Sequence, residues 1–443
     1  MKYGLDDKLP PAALLLYGLQ WWVVTLPSVV IMGLVVARLH GAELPAQILS
    51  MQKLFALTGA VTVIQVLIGH RLPLVVGPAS TLLVGLVASR GIGPDATFTA
   101  LGVGGLILGL TAATGLLGRL RFFFTPRIIA VILILIAFTL MPTILGLVLG
   151  SGGHGGFGGG KNGPSFDLLF ALALVFGLLL CNRVLSGVWK SLTVIIGLAG
   201  GSLAYYFFLG FPAPLSLPAA TTASGLALTT PDFDFGVILA FLFCFLALAI
   251  NELGSIEALG HMLRVNDMGG RIKKGVGIQG AANMAAGGLG IIGSVDYSMS
   301  AGVIAATGCA SRYALVPAGL GVFACAFFPG AILLLSAIPG TVMGALLFYL
   351  MATQLASGLG MLAAERGVHN FESALTVALP LMTGIFIGFA PPGSFAGFPD
   401  LLRPIIANGF VMGAVTVIIL EHGIFRQNRA AGLPDQESAH TRK

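Results

Sequence analysis

The sequence predicts an all-α polytopic membrane protein of about fourteen transmembrane segments, folded as two inverted halves of seven. Three observations carry that prediction. Apolar residues make up 56% of the 443 residues and charged residues only 9%, against roughly 25% charged in soluble domains, which excludes a water-solvated globule. Hydrophobic stretches of about 20 residues, the length that crosses a bilayer, recur along the whole chain. The third and tenth stretches share one interrupted pattern, and these positions correspond when seven segments are followed by seven.

In chain order the segments are expected at 12–37, 46–68, 73–89, 97–118, 127–149, 167–185, 187–209, 234–260, 273–289, 291–308, 312–336, 340–361, 371–391 and 404–424. A first repeat over 1–210, a Pro-, Ala- and Thr-rich connector over 211–233 and a second repeat over 234–425 follow, with a tail over 426–443 too short to fold alone. The N-terminal MKYGLDDKLPPAA lacks the apolar core and small-residue cleavage site of a signal peptide, so the first segment is expected to be retained. If both termini are cytoplasmic, 18 of the 23 basic residues fall inside, and only Arg38, Lys53, Arg90, Lys161 and Arg403 fall outside. That asymmetry obeys the positive-inside rule for an inner (plasma) membrane protein. It also reads the net charge of +6 as a topology signal, not a nucleic-acid footprint.

Other chemistries are not signalled. Cys181, Cys244, Cys309 and Cys325 all fall in apolar segments without metal-ligand spacing and read as small core residues. His154 lies in a glycine-rich outer loop, Gly150 to Ser165, with no partner spacing for a metal. A nucleophile elbow, a phosphate-binding loop and an HExxH zinc motif are all missing. GVGIQG (Gly275 to Gly280) follows a basic loop and not a strand, which is weak evidence for a dinucleotide site. No cofactor and no enzyme activity are expected.

The third segment reads VVGPASTLLVGLVAS from Val75, and the tenth IIGSVDYSMSAGVIAATG from Ile291. Both pass from a β-branched pair to glycine, then through small and hydroxyl residues to glycine and an apolar helical run. Irregular, polar backbone at bilayer depth survives only where it is buried in protein or lines a cavity. Glycine- or proline-interrupted segments at matched positions point to a transporter's binding site. Each segment is expected to begin extended and then turn helical, aiming the free N–H groups and positive dipole end of a half-helix at the bilayer midplane. Pro78 suits the junction, because it lacks an N–H and disfavours helix in the residue before it.

Carboxylates at this depth are functional-site candidates. Asp296 lies in the tenth segment with Ser298, Met299 and Ser300; Asn251, Glu252 and Glu257 lie in the otherwise apolar eighth. A buried carboxyl faces a wet cavity, pairs, or carries a proton, and the last is what a coupling residue does. Glu252 and Asp296 are therefore the proton-coupling candidates, with Glu257 nearer the cytoplasmic end and partly solvated. In the first segment Gln20 precedes Trp21 and Trp22; Gln20 and Trp21 are candidates to flank a ring-shaped substrate, and Trp22 reads as core. His70, Arg71, Arg264, Lys273 and Lys274 read as solvated cytoplasmic anchors.

AGVIAATGCASR (Ala301 to Arg312) resembles the signature of the nucleobase–ascorbate transporter family, also called nucleobase:cation symporters of the second class. That signature runs acid or Gln, Asn, any residue, Gly, four residues, Thr; Gly302, Thr307 and Gly308 match its spacing. Asn251-Glu252-Leu253-Gly254 resembles the family's Glu-x-x-Gly. The resemblance covers the chain in length and layout, is motif-level in the eighth and tenth segments, and is looser in the third. It implies core and gate domains built from a seven-plus-seven inverted repeat, short strands in the third and tenth segments, and a homodimer. It also implies carriage of purines, pyrimidines or ascorbate by an elevator-like motion driven by protons or sodium.

The chain departs from the family pattern at three places. Met299 and Ser300 stand where the signature has acid or Gln, then Asn, and Met299 cannot make bidentate hydrogen bonds to a nucleobase edge. Asn251 occupies the spacing of the family's binding glutamate, one residue before Glu252. Gln20-Trp21 replaces a frequent Gln-His pair. The reading is a proton-coupled transporter of a nucleobase or similar small planar compound, with H+ favoured over Na+. Glu252, Asn251, Asp296, Ser298, Met299, Ser300, Ser80, Gln20 and Trp21 are its candidate binding residues. The alternative is an anion or carboxylate transporter of the SulP or bicarbonate type, which the Gly77-Pro78 of the third segment also resembles.

Overall fold

The computed structural model describes residues 1–39, 43–89, 91–116, 125–150, 164–185, 193–210, 228–297, 299–364, 368–391, 393–399 and 402–425. Ser298, Arg90, Lys161, His154 and most of its loop, the connector as far as residue 227 and the tail 426–443 lie outside these residues. The first half holds α1 (Pro11–Leu39), α2 (Leu44–Leu67), β1 (Val75–Pro78), α3 (Ser80–Ala88), α4 (Pro94–Thr114), α5 (Pro126–Thr139), α6 (Met141–Val148), α7 (Pro164–Val184) and α8 (Thr193–Leu209). The second half holds α9 (Phe235–Met262), α10 (Met268–Leu289), β2 (Ser294–Tyr297), α11 (Ser300–Thr307), α12 (Leu315–Cys325), α13 (Pro329–Ser336), α14 (Gly340–Ala364), α15 (Phe371–Gly388), α16 (Arg403–Ile406) and α17 (Gly409–Ile419).

Among the described residues eight helices are long and apolar enough to cross a membrane, or nine if the bent pair Arg312–Cys325 and Pro329–Ser336 is one span. Of the other expected segments, the seventh, ninth and fourteenth are helices too short or too little apolar for that test, and three are built differently. The third and tenth are a four-residue strand followed by a short helix. The eleventh bends by 82° at the break before Pro329, where a proline at the first turn starts a new helix. The fifth, Pro126–Val148, is one of the eight spans but changes helix at Leu140, with Pro142 in the first turn of α6. The breaks at Leu140 and before Pro329 follow from proline's missing N–H and the clash of its ring with the preceding turn.

Packing is tightest between α4 and α10. In a lipid environment helix association depends on close van der Waals contact and not on hydrophobic exclusion, so small residues line the seams. A Cβ on Gly280 would sit 2.4 Å from Gly109 N and 2.8 Å from Gly105 O; one on Gly287, two turns later, would sit 2.5 Å from Gly102 N. The two backbones touch at both levels, so neither position has room for a methyl group.

Other contacts recur in related pairs. α2 packs on α12 as α10 packs on α4, and α1 packs on α12 as α9 packs on α4. Likewise α1 meets β1 as α9 meets β2, and α7 meets α8 as α15 meets α17. α14 packs against α5, α6, α7 and α8.

Gly280→Ala is expected to lower the stability of the detergent-purified protein by about 1–3 kcal/mol, the usual penalty for forcing a methyl into a filled seam. Gly277→Ala, on the same helix but facing open space, is expected to stay within about 0.5 kcal/mol of the parent. Equal thermal shifts for the two variants would refute the α4–α10 seam.

Candidate substrate site

Val75 and Val76 favour extended backbone, and Pro78 stops the strand because it cannot donate to a ladder. β1 pairs antiparallel with β2 in the register Val75↔Tyr297, Val76↔Asp296, Gly77↔Val295 and Pro78↔Ser294. The Ala79 N–H extends the pairing to Gly293 O at 2.9 Å. Gly77 has no substitute here: a Cβ would come within 2.5 Å of the Tyr297 ring, whose hydroxyl crosses over it to donate to Pro78 O at 2.7 Å. α3 and α11 leave the strand pair with Ala79 and Met299 at their N-cap positions, and neither cap is closed by a side-chain hydrogen bond. Two half-helix N-termini thus start from one buried two-stranded element.

A two-stranded sheet leaves its outer edges unpaired, and at this depth no water satisfies them. Side chains do so. Asn283 Nδ2 donates to Ser294 O at 3.1 Å while its Oδ1 accepts the Ser294 N–H at 2.7 Å. Gln279 Nε2 donates to Ser294 Oγ at 2.6 Å, and Gln65 Nε2 donates to Gln279 Oε1 at 3.2 Å and to Gly275 O at 2.9 Å. Ser300 Oγ accepts the Val75 N–H at 3.0 Å and donates to Tyr297 O at 2.8 Å. Ser255 Oγ donates to Asp296 O at 3.1 Å. The weak GVGIQG string is therefore helical, and its Gln279 braces β2.

Glu252 and Asp296 are brought together. Both are fully buried; Glu252 Oε2 accepts the Asp296 N–H at 2.8 Å, and the two carboxyls lie within reach of each other. His70 joins them: its Nε2 stands 3.1 Å from Asp296 Oδ2. This corrects the expectation that His70 is a solvated anchor. Arg71 takes the left-handed conformation at φ 56° and points outward, while His70 turns in with 0% exposure and accepts the Leu72 N–H on Nδ1 at 2.9 Å. Arg271 holds that turn, donating from Nη1 to the His70 and Arg71 carbonyls, each at 2.9 Å. Arg71, Arg264, Lys273 and Lys274 are exposed as expected.

The other candidates are spread around this centre. Ser80 opens α3 and donates to Gln354 Oε1 on α14 at 3.1 Å. Met299 is 48% exposed at the start of α11, and Asn251 is half-buried beside Glu252 on α9. Gln20 is half-buried with Nε2 lacking a hydrogen-bond partner among the described residues, and Trp21 is sunk in the hydrophobic core. Their helix, α1, packs against both β1 and α3. Reading the chain missed His70, Gln65, Gln279, Asn283 and Gln354. Gln279 and Asn283 had a usable signal: two amides four residues apart share one face of a helix.

With this geometry in place, the likeness to known proteins is consistent. Residues 12–393 match the Permease family of xanthine and uracil permeases. The chain is 26% identical over 369 residues to the "Uric acid permease PucJ" of Bacillus subtilis (strain 168), covering 82% of this chain and 81% of that one. It is 24% identical over 442 residues to the "Uric acid transporter UacT" of Escherichia coli (strain K12), covering 94% and 87%. In fold it resembles the transmembrane domain of the cyanobacterium bicarbonate transporter BicA, with a TM-score of 0.60 at 16% identity over 88% of this chain and 96% of that one. The chain is thus a membrane permease and not an enzyme, and it belongs to the xanthine/uracil permease family, the nucleobase–ascorbate transporters whose signature its tenth segment resembles.

Proposed function

We propose that the protein is a secondary active transporter that takes up a purine or pyrimidine nucleobase together with protons. One observation carries the reading: α3 and α11 begin side by side from the β1–β2 pair, with the Glu252 and Asp296 carboxyls buried directly behind it. Paired half-helix N-termini supply N–H groups and positive dipole ends to a carbonyl-bearing or anionic ring. In this reading Ser80, Met299 and Asn251 border that opening, Ser300 shapes it from behind, and Gln20 flanks it from α1, with Trp21 packed in the core behind it. Ser298 stands between Tyr297 and Met299 in the chain. The nucleobase class is supported by the uric acid relatives. Glu252 and Asp296 hold the coupling proton.

The repeat reading, 1–210 against 234–425, is supported by the recurring contacts. A two-fold axis that exchanges the first seven segments with the last seven maps the α2–α12 seam onto α10–α4, and the β1–β2 and α5–α14 contacts onto themselves. Antiparallel strands agree with such an axis. In this reading α14 and α5 belong to a gate and the strand pair to a moving core; both termini are cytoplasmic and the assembly is a homodimer. The Ser80–Gln354 hydrogen bond then joins core to gate and must break during an elevator stroke. A bicarbonate-like anion cargo rests on fold likeness alone.

Glu252→Gln is expected to abolish accumulation of labelled xanthine or uric acid in proteoliposomes under an inward proton gradient, to the level of protein-free vesicles. Binding should persist: ligand at 100 times its dissociation constant adds about 2.7 kcal/mol to stability, read as a thermal shift. Full pH-driven accumulation by the variant would remove Glu252 from coupling, and thermal shifts with inorganic anions alone would replace the cargo.

Ser80→Cys with Gln354→Cys, in a chain whose four native cysteines are replaced, tests the elevator. Cross-linking the pair with a short thiol-reactive reagent is expected to stop uptake, and a reductant-cleavable reagent to restore it. Unchanged uptake by the cross-linked protein rules out movement of α3 against α14.

A further inference from the structure

Three fully buried titratable side chains meet in one cluster, each from a different element: Glu252 from α9, Asp296 from β2 and His70 from the turn between α2 and β1. Their atoms have distinct surroundings. Glu252 Oε2 is occupied by the Asp296 N–H, which leaves Oε1 without a partner among the described residues. Asp296 Oδ2 faces His70 Nε2 at 3.1 Å, off the line of an ideal hydrogen bond, and Oδ1 is unpartnered among the same residues. Glu252 Oε1 and both Asp296 carboxyl oxygens therefore lack a hydrogen-bond partner among the described residues and are the atoms left to hold a proton.

His70 cannot turn over freely. Its Nδ1 accepts the Leu72 N–H, so the neutral ring carries its own proton on Nε2, the nitrogen that faces Asp296. Arg271, from α10, grips the carbonyls on either side of the bend and is the other charged group beside the ring. Two carboxylates in contact in a low-dielectric interior do not both ionise; one retains a proton. The ring breaks the symmetry between them, because its Nε2 stands 3.1 Å from an oxygen of Asp296.

We propose that His70 is a positioning residue for the proton site: its Nε2–H keeps the negative charge on Asp296, so the exchangeable proton resides on Glu252 Oε1. Loading forms one O–H bond at Glu252 Oε1 from a solvent proton, and release breaks that bond and returns the proton to water. The histidine keeps its proton throughout. This deepens the proton-coupled reading above and rests on it, and it adds a residue to the site that touches no substrate.

Infrared titration of the purified full-length protein in lipid vesicles reads the protonated-carboxyl C=O band without any transported substrate. Its failure is therefore separate from a failure of proton-driven accumulation. The band is expected to disappear in E252Q and to return in E252Q combined with H70L, where Asp296 has lost the ring N–H beside it and holds the proton itself. In H70L alone the midpoint of the band should rise by about 1 pH unit, because removing a nearby N–H dipole from a carboxylate strengthens its hold on a proton. H70Q can still present an N–H, and is expected to titrate like the parent. A band that survives E252Q with His70 intact places the proton on Asp296 and overturns the proposal. An unchanged midpoint in H70L, with thermal unfolding like the parent's, overturns it as well.

Discussion

Backbone at membrane depth must satisfy its own hydrogen bonds, and the rest of this structure is arranged around one place where helix cannot do that. A polar group left unpaired in an apolar medium costs several kcal/mol. β1 and β2 relieve part of that cost by pairing with each other, and Asn283, Ser300, Ser255 and Glu252 cover backbone groups that the pairing leaves open. The strands are four residues long, which limits the exposed edge to what these few side chains can reach. Helical N-termini then appear at mid-depth as a by-product of ending the strands there.

The acid cluster obeys the same rule with larger energies. Two carboxyls buried from water are tolerable when each has a donor or a proton, and the interior supplies the Asp296 N–H, the His70 ring and the bend held by Arg271. Removing one partner of a buried charged group typically costs more than the pair contributes when intact. A site of this kind is thus stable as a whole and sensitive in its parts. That makes it suitable for binding energy to be linked to a change of protonation.

The outer surfaces follow from the solvent. Phe207 and Phe386 are about four-fifths exposed, and Leu334 three-quarters; in water this would mark an interaction surface, but acyl chains solvate such side chains. Seams between helices are instead selected for closeness, which accounts for the glycines of α4 and α10. The contact of Ser80 with Gln354 is different in kind, a side-chain hydrogen bond between the start of α3 and α14.

Composition, segment length and the paired interruptions in the third and tenth segments were enough to place this chain in a membrane, to locate its irregular segments and to single out Glu252 and Asp296. Those properties are local: hydropathy sums over about 20 residues, and glycine, proline and carboxylate carry their meaning in one segment. The motif at Gly302 and Thr307 extended the reading to the family. What the chain alone did not disclose is which distant side chains complete the site. His70 lies in a basic turn that reads as solvated, and only a left-handed Arg71 and the grip of Arg271, 200 residues away, turn it inward. Gln65, Gln279 and Asn283 look like ordinary polar residues in helices until β2 is laid beside them. Partner choice across 200 residues is decided by packing, because a hydrogen bond depends on ångström-scale placement that no local pattern encodes.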